Sequence, residues 1–239
     1  MRPRAALGAA LVSAASIAAC ASDPGVVHET AADRGRALFA SPRASESVSN
    51  PFACATCHPT VAVTPGRIWA GAPLLGVTAR RSFWGGHELD LLASINDCRA
   101  RFMDAPRPWT TESEDARSMW AYLQTLEGGQ EPAPFTVVAP PTELGGGDAE
   151  RGATTFAAAC APCHGARSTG EGRLASFVPA LPDAFAAAHA TLPAPEVRAI
   201  AAAKIRRGGI ATPGESMPPF SREQLSDAQL LDLIAWLGL

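Results

Sequence analysis

The sequence predicts an all-α protein made of two tandem helical modules, and three observations predict it. The pentapeptide Cys54-Ala-Thr-Cys57-His58 returns as Cys160-Ala-Pro-Cys163-His164. The residues around the two copies repeat in register, the mark of a duplicated unit. Val and Ile are sparse beside Ala, which favours helices over sheet, while 21 prolines and 21 glycines add turns and loops.

The repeat divides the 239 residues. Fifteen residues beyond each histidine stands a proline, Pro73 and Pro179, and Gly66-Arg67-Ile68 faces Gly172-Arg173-Leu174 in the same ungapped frame. The frame then slips by eight residues and holds again: Met103 lies nineteen before Tyr122, and Met217 nineteen before Trp236. At the front, Arg34-Gly35 and Phe39 answer Arg151-Gly152 and Phe156, a small residue followed one turn later by an aromatic, as suits a helix crossed closely by another. The expected units are a signal peptide over 1–20, a first domain over 30–128, a linker over 129–147 and a second domain over 148–239. Units this small bury a modest core, so a covalently held group would serve as core filler as well as cofactor.

Two cysteines three apart with a histidine directly behind form the attachment signature of haem c, because the thiols add to the two vinyl groups and the imidazole reaches the iron. A redox dithiol needs no histidine there, and no tetrahedral set with zinc-finger spacing can be assembled from this chain. The expectation is two covalently bound haem c groups, at Cys54, Cys57 and His58 and at Cys160, Cys163 and His164. Each half then offers a methionine as sixth iron ligand, Met103 for His58 and Met217 for His164. A soft, neutral thioether favours the ferrous state, and an iron with both axial positions filled suits electron transfer rather than oxygen chemistry.

In order along the chain, Met1-Arg-Pro-Arg4 and the apolar run Ala5 to Ala19 read as a secretory signal. Removing 1–20 takes two arginines from the 20 basic residues, leaving 18 against 23 acids, a formal charge of −5. Nothing in that balance suggests nucleic acid, and a mildly acidic surface suits redox partners with a basic docking patch. A short tether over 21–30 leads to an amphipathic helix over 33–40. A Ser-, Pro- and Asn-rich stretch between Phe39 and Cys54 reads as a surface loop, or as one that partly covers the first haem. A helix over 88–101 presents Leu89, Leu92, Ile95 and Phe102, with Trp84 before it as a candidate wall of the haem pocket. His87 has no counterpart in the second half and reads as a surface histidine. Thr111-Glu-Ser-Glu114 is a capping-box pattern opening a helix with Ala116, Met119, Trp120, Tyr122, Leu123 and Leu126. Met119 is the rival iron ligand, but the repeat sets it opposite Leu233, a packing position. Residues 181–203 predict one or two short helices in which His189 is structural or exposed. Ser226-Asp-Ala-Gln229 is a second capping box, ahead of Leu230, Leu233, Ile234 and Leu237 on one helical face.

Both halves resemble class I cytochromes c, and Ser216-Met217-Pro218-Pro219-Phe220 is similar to the distal methionine loop of that family. The resemblance implies two tandem cytochrome c domains. It also implies that Pro73 and Pro179 give their carbonyls to the proximal histidines, fixing ring and tautomer, and makes Arg67 and Arg173 candidates to meet haem propionates. Ile17-Ala-Ala-Cys20 resembles the bacterial lipobox, which implies a lipidated Cys20, a membrane tether and a periplasmic location. Ile95-Asn-Asp-Cys98 is similar to a segment of sulfur-oxidising diheme cytochromes and thiosulfate dehydrogenases, where a cysteine can ligate the catalytic haem. Cys98 has no disulfide partner in the mature chain, so it is either a buried free thiol or such a ligand. The function expected is a carrier of single electrons between exported or membrane-associated partners, with no catalytic residue of its own. The alternative is an enzyme oxidising a small sulfur compound at the first haem.

Overall fold

A computed structural model describes residues 29–137, 140–211 and 214–239. The signal segment and Cys20 lie outside them. The fold is all-α: among the described residues no strand forms, and the only bridge is the isolated pair Phe83 and Glu88. No described helix is long and apolar enough to cross a membrane.

The first half opens with α1 (Ala31–Phe39), started by a capping box in which the Thr30 hydroxyl accepts from the Asp33 amide at 3.1 Å. The turn α2 (Cys54–Cys57), α3 (Leu91–Phe102) and α4 (Glu114–Gln124) follow. The second half holds α5 (Ala149–Ala159), α6 (Ala161–His164), α7 (Asp183–Ala188), α8 (Ala194–Arg207) and α9 (Asp227–Leu237).

Each half is built on one close helix crossing, α1 on α4 and α5 on α9. Gly35 makes the first possible, since a Cβ there would fall on the Ser118 carbonyl, and Gly152 makes the second, against the Asp232 carbonyl. The aromatics one turn later close the contact: Phe39 meets Tyr122 at 5.4 Å between ring centroids and Phe156 meets Trp236 at 4.6 Å. The arginines before these glycines bind the crossing helix. Arg34 pairs with Asp115 at 2.8 Å, and Arg151 grips Asp232 with Nε at 2.8 Å and Nη2 at 2.9 Å. Leu230, Leu233, Ile234 and Leu237 of α9 are buried as the pattern requires, each contributing roughly 1.5–3 kcal/mol. Ser226 and Gln229 form the expected capping box.

Several local expectations are corrected. Asp90 caps α3 by accepting from the Ala93 amide at 2.7 Å, so Leu89 falls outside the helix and is exposed, and Leu91 takes the buried place. Helix α4 starts at Glu114 with Ser113, not Thr111, at its N-cap position, and Trp120 faces solvent. Residues 40–53 are a surface loop only in part: Pro42, Arg43, Glu46, Val48 and Ser49 are exposed, whereas a 3₁₀ turn at Pro42–Ser45 carries Ala44 and Ser45 into the core, and Asn50 and Phe52 follow. The Asn50 amide makes this possible by donating to the carbonyls of Pro42 (3.1 Å) and Phe52 (2.7 Å). The segment expected as a linker is docked at more than one point. Phe135 stands edge-on to Trp84 at 5.3 Å, Thr136 exchanges bonds with Arg222 (3.2 Å) and Glu223 (2.9 Å), and Leu144 packs on the second core.

Candidate functional site

Two apolar clefts lie beside the repeated motifs. In the first half, α2 gives one helical turn that puts Cys54 and Cys57 on the cleft wall, and His58 leaves the helix in an extended conformation. The ring Nδ1 faces the Ala72 carbonyl at 2.9 Å. A carbonyl only accepts, so Nδ1 carries the proton and Nε2 keeps its lone pair. Burial holds the His58 pKa below its ordinary value, partly opposed by the Ala72 bond, and so keeps the imidazole neutral. In the second half the His164 Nδ1 faces the Pro179 carbonyl at 2.8 Å, with burial again lowering the pKa. The carbonyl expected from Pro179 is therefore in place, whereas the one expected from Pro73 comes from Ala72, one residue earlier.

The reason for that shift is Gly71. Its amide donates to the Cys57 carbonyl at 2.9 Å, and a Cβ on it would run into the His58 ring. The chain thus passes the ring edge one residue before the proline, close enough for Ala72 to accept. Gly71→Ala is expected to cost about 1–3 kcal/mol by this overpacking. Guanidinium denaturation should show that loss, while Gly129→Ala, which opens onto free space, should leave the midpoint in place.

The first cleft, of about 170 Å³, is tight, and Met103, Met119 and Cys98 all line it. Both methionines are almost fully buried. Met103 sits at the C-cap of α3, and Met119 lies on α4. Trp84 forms part of the wall and stacks on Phe102 at 6.2 Å between centroids. Burial pushes the Cys98 thiol up to about 12 and the Cys54 thiol to about 11. His87 is exposed.

The second cleft, of about 720 Å³, lies within the range of cofactor sites. Cys160, Cys163, His164 and Met217 line it. Met217 is placed by the end of α8, where the Gly209 amide donates to its carbonyl at 2.7 Å and Gly208 leaves no room for a Cβ beside that oxygen. His189 also lines this cleft, but its Nδ1 is tied to the Phe185 carbonyl at 2.8 Å and its ring packs on Phe185. That is the structural role expected of it.

Two groups near the methionines escaped sequence reasoning. Arg206 on α8 is fully buried and donates to the carbonyls of Phe220 (3.1 Å) and Leu225 (2.6 Å) and to Asp227 (2.7 Å), pinning the chain just beyond Met217. Arg99 on α3 is equally buried; it donates to the carbonyls of Ala44 (2.8 Å) and Arg107 (3.1 Å) and lies 4.0 Å over the Trp109 ring. The sequence carried no distinguishing signal, since each arginine stands among other charged residues of its helix, Asp97 and Arg101 in α3 and Lys204 and Arg207 in α8.

The donor set suits haem c. In each half a thiol pair and a neutral imidazole with a free Nε2 meet at an apolar cleft with a thioether on its wall. Residues 147–237 match the family described as Cytochrome C oxidase, cbb3-type, subunit III. They include Cys160, Cys163, His164 and Met217, so the C-terminal half contains a cytochrome c domain, a type of unit that binds haem c covalently and transfers electrons. No curated protein matches the chain. Among solved structures, thiosulfate dehydrogenase (TsdBA) from Marichromatium purpuratum, in its as-isolated form, is similar at 20% identity with a TM-score of 0.43, over 87% of this chain and 45% of that one. The chain thus spans less than half the length of that protein.

Proposed function

We propose that the chain carries two covalent haem c groups, one at Cys54, Cys57 and His58 and one at Cys160, Cys163 and His164, with Met103 and Met217 as sixth ligands. In this reading it hands single electrons between redox proteins outside the cytoplasm. The observation that carries it is the equivalent setting of the two histidines, each half-buried and turned by a backbone carbonyl so that Nε2 is the free nitrogen. When bound, each group supplies a one-electron iron couple. The chain's own part is to hold the ring tautomer, present the thioether and keep water from the apolar wall. The two domains run over 30–128 and 148–239 in this reading, and export follows from the type of cofactor. Cys20 would add a lipid anchor, which palmitate labelling reads directly.

Mass spectrometry of matured protein is expected to find two macrocycles, and loss of one on Cys54→Ser/Cys57→Ser. A single macrocycle in the unaltered chain would refute the proposal. The other reading, oxidation of a small sulfur compound such as thiosulfate, is favoured by one observation, the Cys98 thiol on the wall of the first cleft. The carrier reading expects no thiosulfate-dependent reduction of the haems; reduction in the unaltered chain that disappears in Cys98→Ala would reverse the order of the two.

A further inference from the structure

The two halves meet along residues 64–70, and this segment belongs to one half by sequence and serves the other by position. The Ile68 amide donates to the Ala158 carbonyl at the end of α5 at 3.0 Å, and Ile68 and Ala70 pack into the second core. Arg67, between them and the first motif, lines the second cleft. Its guanidinium lies 4.6 Å over the Trp69 ring and reaches the Thr56 carbonyl at 3.4 Å, yet its Nε is buried with no hydrogen-bond partner. A buried donor without a partner is costly; Nε itself is covered by the chain, so it is the rest of this half-buried guanidinium, on the cleft wall, that a bound group can meet. No carboxylate of this chain pairs with Arg67 among the described residues. Its repeat partner Arg173 differs: it stays within its own half, donating to the Val178 carbonyl at 3.4 Å.

We propose that Arg67 of the N-terminal half is the cation that receives a propionate carboxylate of the haem held by Cys160, Cys163 and His164, so that the second site is completed across the interface. This rests on the two-haem reading. A planar guanidinium is the side chain suited to a carboxylate, taking two oxygens with two parallel N–H groups. Its charge beside the cleft opposes the extra positive charge of ferric iron and favours the ferrous form. The reduction potential of the second haem is therefore set partly by a residue of the first half, and fixing Arg67 between the Trp69 ring and the Thr56 carbonyl keeps that charge in place.

The test is a spectroscopic redox titration of the holoprotein, its second wave assigned by the displacement that Met217→His causes. Arg67→Gln is expected to shift the equilibrium of the second wave about tenfold towards the oxidised form, which for one electron is about 59 mV, with the first wave moving much less. Arg67→Lys should restore part of the shift, since charge returns without the fork, and Arg173→Gln should displace neither wave. A second wave unmoved in Arg67→Gln, or both waves displaced equally, would overturn the assignment of Arg67. If the unaltered protein holds no macrocycle at Cys160 and Cys163, the two-haem reading fails instead, and mass spectrometry separates the two outcomes. Should Arg67→Gln not fold, Arg67→Lys alone decides, because a second wave identical to that of the unaltered chain removes the case for a bidentate carboxylate partner.

Discussion

Gly152→Ala is expected to destabilise the C-terminal half by about 3 kcal/mol, at the upper end of what overpacking costs. The added methyl would fall on the Asp232 carbonyl and come within 2.6 Å of the Trp236 Cβ. A backbone carbonyl inside α9 cannot rotate away, so α5 and α9 must separate. Separation loosens the Phe156–Trp236 contact and the two bonds from Arg151 to Asp232. Chemical denaturation followed by circular dichroism measures the effect. Gly35→Ala should behave alike in the first half, where the obstacle is the Ser118 carbonyl. Gly145→Ala meets open space and is expected to stay within about 0.5 kcal/mol of the unaltered chain. A neutral result for Gly152→Ala would mean that the close crossing does not set the distance between the helices.

Arg206→Met is the second substitution with a large expected effect, a loss of about 3–5 kcal/mol, because it strands polar partners inside the fold. The carbonyls of Phe220 and Leu225 lose their donor and Asp227 loses its buried partner, keeping only the exposed Arg222 at 2.5 Å. Arg206→Lys should recover little, since an ammonium cannot reach three acceptors with the geometry of a fork. The consequence for the site is local: the segment from Met217 to Leu225 is held to α8 by Arg206 and by the Phe220 amide on the Ile205 carbonyl at 3.0 Å. Hydrogen exchange at the Phe220 amide is expected to accelerate in Arg206→Met more than exchange within α5. Uniform acceleration would point to global unfolding rather than release of this segment.

What could be read from the sequence follows the range of the interactions. The Gly35–Phe39 and Gly152–Phe156 spacings announce close crossings because the steric demand is local and occurs twice. The Ser226–Gln229 box is equally local, and α9 begins where it says. The Thr111–Glu114 pattern misled because Ser113 takes the N-cap position instead, its hydroxyl accepting from the Thr110 amide at 2.8 Å just before α4 begins at the next residue. The choice of Ala72 over Pro73 depends on how tightly Gly71 passes His58, a tertiary fact that counting along the chain cannot supply. Arginines are ordinarily at the surface, so the burial of Arg99 and Arg206 becomes visible only once the carbonyls around them are assembled. The Ser-, Pro- and Asn-rich composition of 40–53 predicted solvent; the Asn50 bonds that turn it inward join residues up to eight apart. The histidine and cysteine motifs were plain in the sequence, but the passage of residues 64–70 into the other half was not.

The burial of the thiols has a consequence for biogenesis. Cys57 lines both clefts and is half-buried; burial drives its pKa well above the ordinary thiol value and that of Cys160 up to about 12, so both sulfurs stand protonated at a cleft wall. Attachment of the kind proposed therefore starts from thiols that must first give up a proton, and is expected to be easier before the two halves close on Cys57.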